Sequence, residues 1–488
     1  MPSLSRRTVL RAGLVAAGAA VLSACTNDRP SSDFVTADGD EVRATEARRN
    51  PGPVREVTLN PTVGAIDLGG LIVTTWSYGG TVPGNPIRVT AGEVIAASIH
   101  NGLPVDTSVH WHGVALRNDA DGVPGLTQQP TKPGQYVGYR FTVPTPGTYW
   151  FHPHVGVQLD RGLYAPLIVE DPNEPLAYDD EWVIVLDDWL DGVSGSPDDV
   201  FADLRQGMGG MMGGGHMMPG ASSSLLGGDA GDVRYPHFLL NGRLPTAPVT
   251  LQGRPGTRVR LRIINAGSDT AFRVALGGHR MQITHTDGFP VQPIDADAVL
   301  VGMGERYDAI VTLADGVYPL VALAEGKGAS AFAVIRTGGG AAPAAGVRPR
   351  ELDGRIVSYR QLKPAETVRL ADRGPDRTMS LRLTGGMMTY DWGFNGRRHD
   401  PDHFEPVRAG ERVRLDLVNT TTMWHPVHLH GHTFATVETG MRKDTIIVLP
   451  GQTVPVVFDA DNPGRWMLHC HNAYHAEAGM MTQLGYLR

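Results

Sequence analysis

Cysteine is almost absent from this chain of 488 residues, which holds only Cys25 and Cys470. A disulfide framework is therefore excluded, and if Cys25 is lipidated no disulfide can form at all. A single thiol kept in an oxidising compartment is either buried or held by a metal. Charge is also sparse. Asp, Glu, Lys and Arg make up 19% of the residues against 61 Gly and 36 Pro, which speaks for turn-rich β structure and against helical bundles. The apolar run from Leu14 to Ala24 is too short to span a bilayer. A basic excess is missing too. The formal charge of −8 makes the chain a poor nucleic-acid binder and a comfortable neighbour for cations. The length exceeds what one core can support and predicts roughly three domains of about 150 residues.

The N-terminus reads as an export signal. Ser5-Arg6-Arg7-Thr8-Val9-Leu10 resembles a twin-arginine signal, with Val9 where an aromatic is more usual. Leu22-Ser23-Ala24-Cys25 resembles a bacterial lipoprotein cleavage box, which makes Cys25 the lipidation candidate. The other reading is an ordinary cleaved signal in which Cys25 is incidental. Removing Arg6, Arg7 and Arg11 takes the charge from −8 to −11. Residues 1–25 are thus assigned to the signal, and the polar stretch 26–53 to a flexible tether.

Three segments repeat. Val82-Pro83-Gly84-Asn85 leads through Gly92-Glu93-Val94 to Asn101. Asn241-Gly242-Arg243 leads through Gly256-Thr257-Arg258-Val259 to Asn265, and Asn395-Gly396-Arg397 through Gly410-Glu411-Arg412-Val413 to Asn419. The three terminal asparagines lie 164 and 154 residues apart, the span of a whole domain. Each copy alternates apolar and polar residues in short runs, the pattern of a β-sandwich. The expected units are 54–172, 173–337 and 353–488, with a Gly-rich linker over 338–352.

The first and third copies also end alike. Pro146-Gly147-Thr148-Tyr149-Trp150-Phe151-His152-Pro153-His154 corresponds to Pro463-Gly464-Arg465-Trp466-Met467-Leu468-His469-Cys470-His471. In that register Pro153, Gln158 and Leu163 stand where the third copy has Cys470, His475 and Met480. The second copy has Val317-Tyr318-Pro319-Leu320 there and no metal ligand. Four His-x-His pairs occur: His110/His112, His152/His154, His428/His430 and His469/His471. Alternation along a strand aims Cys470 one way and its flanking histidines the other, which suits two metal centres. Cys470 with His475, Met480 and His425 makes a blue-copper donor set, and the eight paired imidazoles suffice for a multi-copper cluster between two domains. His100, His279, His285 and His432 read as packing or hydrogen-bonding residues, and His237, His399 and His403 as loop residues.

These motifs resemble those of the multicopper oxidases from about residue 54 to the end: His110-Trp111-His112-Gly113, His152-Pro153-His154, His425-Pro426-Val427-His428-Leu429-His430-Gly431 and His469-Cys470-His471 with His475 and Met480. Bacterial laccase-like and copper-resistance oxidases, lipoprotein forms included, are the members it most resembles. The resemblance implies an all-β chain of three cupredoxin-like Greek-key sandwiches holding four coppers: one type 1, one type 2 and two type 3. It implies His425, Cys470 and His475 with axial Met480 for type 1, and His110 and His428 for type 2. For type 3 it implies His112, His152 and His471 on one copper and His154, His430 and His469 on the other. Four one-electron oxidations, passed through Cys470 and its flanking histidines, would reduce O2 to water. That reduction consumes protons. Asp121 matches the family's acid near type 2 copper, while Ala476 stands where a second acid is common and Glu477 follows it.

The expected reductant is Cu(I), with phenols as further substrates. Thioethers favour Cu(I), and the stretch 207–220 carries Met208, Met211, Met212, Met217 and Met218 among glycines. Met423 matches a substrate-copper methionine of cuprous oxidases, whereas Thr421 replaces that subgroup's aspartate. Alternatives are a laccase with an organic phenolic substrate, with bilirubin or ferrous iron as lesser variants, and a non-enzymatic electron-transfer lipoprotein that leaves the paired histidines unexplained. The chain is expected to be a monomer, exported, and held to the outer face of the cytoplasmic membrane through its lipid alone or else secreted.

Overall fold

The computed structural model of the protein describes residues 33–207, 216–218 and 220–488. The signal, Cys25, Met208, Met211 and Met212 lie outside the described residues. Strands dominate, and they form three two-sheet sandwiches in sequence. The first pairs a three-stranded sheet (Val54–Leu59, Val94–His100, Tyr136–Thr142) with a four-stranded one. The second packs two six-stranded sheets, and the third a six-stranded on a five-stranded sheet. Each sandwich contains the same parallel pair: Val54–Leu59 beside Val94–His100, Asp180–Trp189 beside Arg258–Asn265, and Arg377–Thr384 beside Arg412–Asn419.

The repeated asparagines explain why the pattern recurs. Asn101, Asn265 and Asn419 are buried where a strand leaves its sheet. Each side-chain amide donates to two carbonyls: Val105 and Thr131, Thr270 and Val301, Met423 and Val448. Each side-chain oxygen accepts one backbone N–H, from Leu103, Gly267 and Thr421. One side chain thus satisfies three buried backbone groups that would otherwise each cost about 1–3 kcal/mol. Asn241-Gly242 and Asn395-Gly396 have φ between +50° and +78°, the left-handed pairs that tight hairpins need.

The stretch 26–53 is not a flexible tether where it is described. Phe34 bridges Leu487, and Phe34 and Val35 are 1% and 2% exposed. Helix α1 (Asp40–Ala47) buries Val42, and Glu46 accepts both the N–H and the hydroxyl of Thr142 at 2.8 Å. This arm fastens the C-terminal strand to the first sandwich, and three apolar side chains in a polar stretch are all that signal it. The linker 338–352 is likewise docked at its end, with Leu352 fully buried. His237, expected in a loop, opens the strand His237–Leu240. A continuous apolar core joins the second and third sandwiches. Among the described residues no helix is long and apolar enough to cross a membrane.

Candidate metal centre

The expected ligands converge from two sandwiches. His110–His112 is a three-residue strand paired with Gly147–His152, so His110 lies opposite His152. In the third sandwich His425–Leu429 pairs with Arg465–Cys470, setting His428 against His469 and Val427 against Cys470. The pleat then separates two sets of side chains. Cys470 Sγ lies 3.6 Å from His425 Nδ1 and 3.8 Å from His475 Nδ1, and those nitrogens are 3.1 Å apart. His475 sits on helix α2 (Ala473–Glu477), whose cap Asn472 accepts the N–H groups of Tyr474 and His475. Met480 is fully buried, and its carbonyl accepts the N–H of Cys470.

On the other side the paired histidines crowd together. His430 Nε2 lies 3.0 Å from His469 Nε2, and His471 Nε2 lies 3.2 Å from His112 Nδ1. His110 and His430 stack at 3.8 Å, as do His112 and His428. Their donor atoms gather in overlapping groups: His110/His428/His430, His110/His112/His152 and His154/His430/His469. Burial and mutual repulsion hold His112, His152, His154, His430, His469 and His471 well below the usual histidine pKa.

The ring hydrogen bonds test whether a metal fits. His110 Nδ1 donates to the Asp121 carbonyl (2.9 Å), His152 Nδ1 to Pro153 (2.8 Å), His428 Nδ1 to Asp444 (2.9 Å) and His469 Nδ1 to Cys470 (2.8 Å). Meanwhile His110 Nε2, His152 Nε2 and His428 Nε2 are buried with no partner. A nitrogen oriented by a carbonyl on one side and orphaned on the other is what a metal ligand requires. The donor set fits copper, since thiolate, imidazole and thioether meet on one side and imidazoles alone on the other.

Several surrounding groups carry no sequence motif. Asp444, fully buried, accepts from Arg306 at 2.7 and 2.6 Å and lies 3.2 Å from His112 Nε2. Burial opposes its charge, but Arg306 and the adjacent histidines hold its pKa well below the carboxylate range. Gly113 has to be glycine, because at its φ of +84° a Cβ would strike both Arg306 and Asp444. Asp232, from the second sandwich, accepts from His475 Nε2 at 2.9 Å. Burial works against protonation of His475, yet Asp232 and Cys470 push its pKa up to about 10. Asp269, also from the second sandwich, accepts from the Asn472 amide at 2.6 Å. These partners lie up to 332 residues from the side chains they orient, a separation no local pattern records.

The remaining expectations fall as follows. Asp121 is fully buried and accepts from His430 Nδ1 at 2.9 Å. Glu477 lines a cavity of about 280 Å³ whose walls include His152, His154, His469 and His471. Glu477 is exposed, but the cleft wall withholds enough water to raise its pKa above the ordinary carboxylate value. Met423 is only 2% exposed in the core, and the Thr421 hydroxyl oxygen lies 2.8 Å from His425 Nε2. Met217 bridges Val233, and Met218 N donates to the Asp232 carbonyl at 2.8 Å, so this end of the Met-rich stretch runs past the carboxylate that holds His475.

The three sandwiches and this donor set define a multicopper oxidase, and the chain belongs to that family. Multicopper oxidase family models match residues 63–174, 180–340 and 372–486. The chain is 49% identical to "Multicopper oxidase MmcO" of Mycobacterium tuberculosis, over 99% of its own length and 97% of that protein. It is 28% identical to "Copper resistance protein A homolog" of Pseudomonas syringae pv. tomato, covering 88% of this chain and 91% of the other. The crystal structure of laccase from Botrytis aclada matches with a TM-score of 0.72 at 25% identity, covering 91% and 90% of the two chains. That of Fet3p, described as functioning in iron import, shares the fold with a TM-score of 0.74 at 22% identity, covering 89% and 90%. The family binds four coppers, one type 1, one type 2 and a type 3 pair, and uses O2 as its oxidant.

Proposed function

We propose that this oxidoreductase takes electrons from Cu(I), and secondarily from phenols, in four one-electron steps that reduce O2 to water. His425, Cys470, His475 and Met480 would hold type 1 copper, and His110 and His428 type 2. His112, His152 and His471 would hold one type 3 copper, and His154, His430 and His469 the other. Bound copper supplies the one-electron redox chemistry at both centres. The chain's own residues do the rest. The carbonyls of Asp121, Pro153, Asp444 and Cys470 fix ring orientations. The backbone of 469–471 joins the thiolate to two imidazoles by covalent bonds. Asp121 and Glu477 are the carboxylates placed to pass protons, Asp121 at His430 and Glu477 in the cleft.

The observation that carries the Cu(I) reading is the Met217–Met218 segment lying along Asp232, which bonds His475. Methionine thioethers on a segment whose backbone bonds Asp232 suit a soft cation better than a neutral phenol. Met387, partly buried, and Met388, 69% exposed, stand beside Gly207 at the opposite end of the stretch. Met208, Met211 and Met212 complete the proposed collecting segment, and Met423 is proposed to serve with it. The protein would work as an exported monomer at the cell envelope, anchored through Cys25. Turnover of Cu(I) and of a phenol is to be compared before and after deletion of 207–220. The reading expects Cu(I) turnover to fall and phenol turnover to hold, and unchanged Cu(I) turnover refutes it.

A further inference from the structure

A second constellation lies apart from the copper ligands. Arg48, Arg49 and Arg442 line one cavity of about 580 Å³ between α1, the first sandwich and the third. Its cations are short of partners. Arg48 is exposed, donates to Thr45 Oγ1 at 3.0 Å, and forms no ion pair among the described residues. Arg49 has Glu46 at 3.4 Å, the Ala115 carbonyl and Asn462 Oδ1 at 3.3 Å. Arg442 reaches the Val368 carbonyl at 3.3 Å and the Thr433 hydroxyl, and its ring neighbour is Phe289 at 4.8 Å. Its Nε–H is buried with no partner at all.

The carboxylates present do not fill the need. Asp459 is gripped by Arg412 at 2.6 and 3.0 Å and by Arg373 at 3.0 Å. Asp461 is exposed and outside any ion pair among the described residues. His432 spends both ring nitrogens, on the His430 carbonyl and the Tyr486 hydroxyl. Burial pushes Arg49 and Arg442 below the usual arginine pKa, against the pull of Glu46 on Arg49 and of Asp461 on both. Arg442 has been taken out of water here without an ion-pair partner among the described residues, and Arg49 has only Glu46.

We propose that this cavity binds a phosphate-class oxyanion. The planar guanidinium fork matches tetrahedral oxyanions in direction as well as charge. The Arg442 Nε–H is the buried donor left open for it, and Arg48 is the free cation at the rim. The cavity is larger than a bare phosphate needs. It shares Thr145, Phe289, Thr367 and Val368 with an adjoining space of about 630 Å³, whose walls include Leu176, Pro290 and Val291. A phosphate ester with an apolar group, whether a lipid headgroup or a soluble compound, fits the pair of cavities. Bound there, it would clamp α1 onto the seam of the first and third sandwiches.

The test uses the copper-loaded full chain, titrated by calorimetry with inorganic phosphate and with a short-chain phosphatidate, against chloride at equal ionic strength. Phosphate should bind and raise the unfolding temperature where chloride does not. Arg48→Ala, at an exposed position, should fold normally and bind about tenfold more weakly, the worth of one charge-assisted contact. Arg442→Lys keeps the charge, loses the fork, and should remove the phosphate-specific shift. Tighter phosphatidate binding assigns an ester or lipid, and equal binding assigns the free anion. Equal responses to phosphate and chloride, or undiminished affinity in Arg48→Ala, overturn the proposal.

Discussion

Replacing Asp444 by alanine tests the support of the copper cluster directly. The substitution strips Arg306, fully buried, of its two-point partner at 2.7 and 2.6 Å. What remains is the Gly304 carbonyl at 3.0 Å, the Thr148 carbonyl at 3.1 Å and Asp287 at 3.6 Å. Removing one partner of a buried ion pair costs about 3–5 kcal/mol, and the remaining Asp287 places this case toward the lower figure. For a unit of about 150 residues that corresponds to a fall of roughly 10 °C in unfolding temperature. His112 loses its carboxylate contact, while His428 keeps the Asp444 backbone carbonyl. Copper affinity should therefore drop by about 10–100-fold at the centre His112 serves, and less elsewhere. The assay is calorimetric unfolding of the copper-free and copper-loaded protein, with metal counting and electron paramagnetic resonance. Asp444→Asn, which keeps the shape, should lose less stability but a similar share of affinity. If both variants unfold at the parental temperature with full copper, the support assigned to this carboxylate is wrong.

Cys470→Ser should abolish the blue absorption and oxidase turnover while most trinuclear copper stays bound, and retained turnover would contradict the assignment. Asp308, buried between Arg260 and Arg262, is held at about 2 against 3.8 in the unfolded chain. Its contribution, about 2 kcal/mol, is complete above pH 4 and disappears as pH falls from 3.8 to 2. Acid titration of Asp308→Asn, followed by tryptophan fluorescence, should show that step flattened. Phe34→Ala should cost about 3 kcal/mol because Phe34 packs on Phe404 at 4.9 Å, and an unchanged unfolding temperature would return residues 33–53 to the status of a loose tether.

The clustered histidines and Cys470 were legible because copper chemistry confines such donors to short motifs, and because a repeat shows which motif has changed. Pro153 opposite Cys470 is informative without any coordinates. The sandwiches were legible from strand alternation and the three asparagines. The arm was not, since Phe34, Val35 and Val42 are too few to form a period. Asp232, Asp269, Arg306 and Asp444 were invisible for a different reason. Each is an ordinary charged residue in its own segment and acquires meaning only from a partner brought close by the fold. Met423 shows the converse, a motif position whose side chain the fold buries.

The second sandwich, which carries none of the ligands expected for the four coppers, imposes an order on assembly. Asp232 and Asp269 are synthesised 243 and 203 residues before the His475 and Asn472 they hold. That sandwich's strand Ser330–Arg336 is complete 139 residues before His475, so a chain emerging at about 5–20 residues per second gives it roughly seven seconds or more to fold. The helix α2 then arrives on a finished surface with its two carboxylates already in place. Translation itself thus presents the thiolate segment last, to a mould that can receive it.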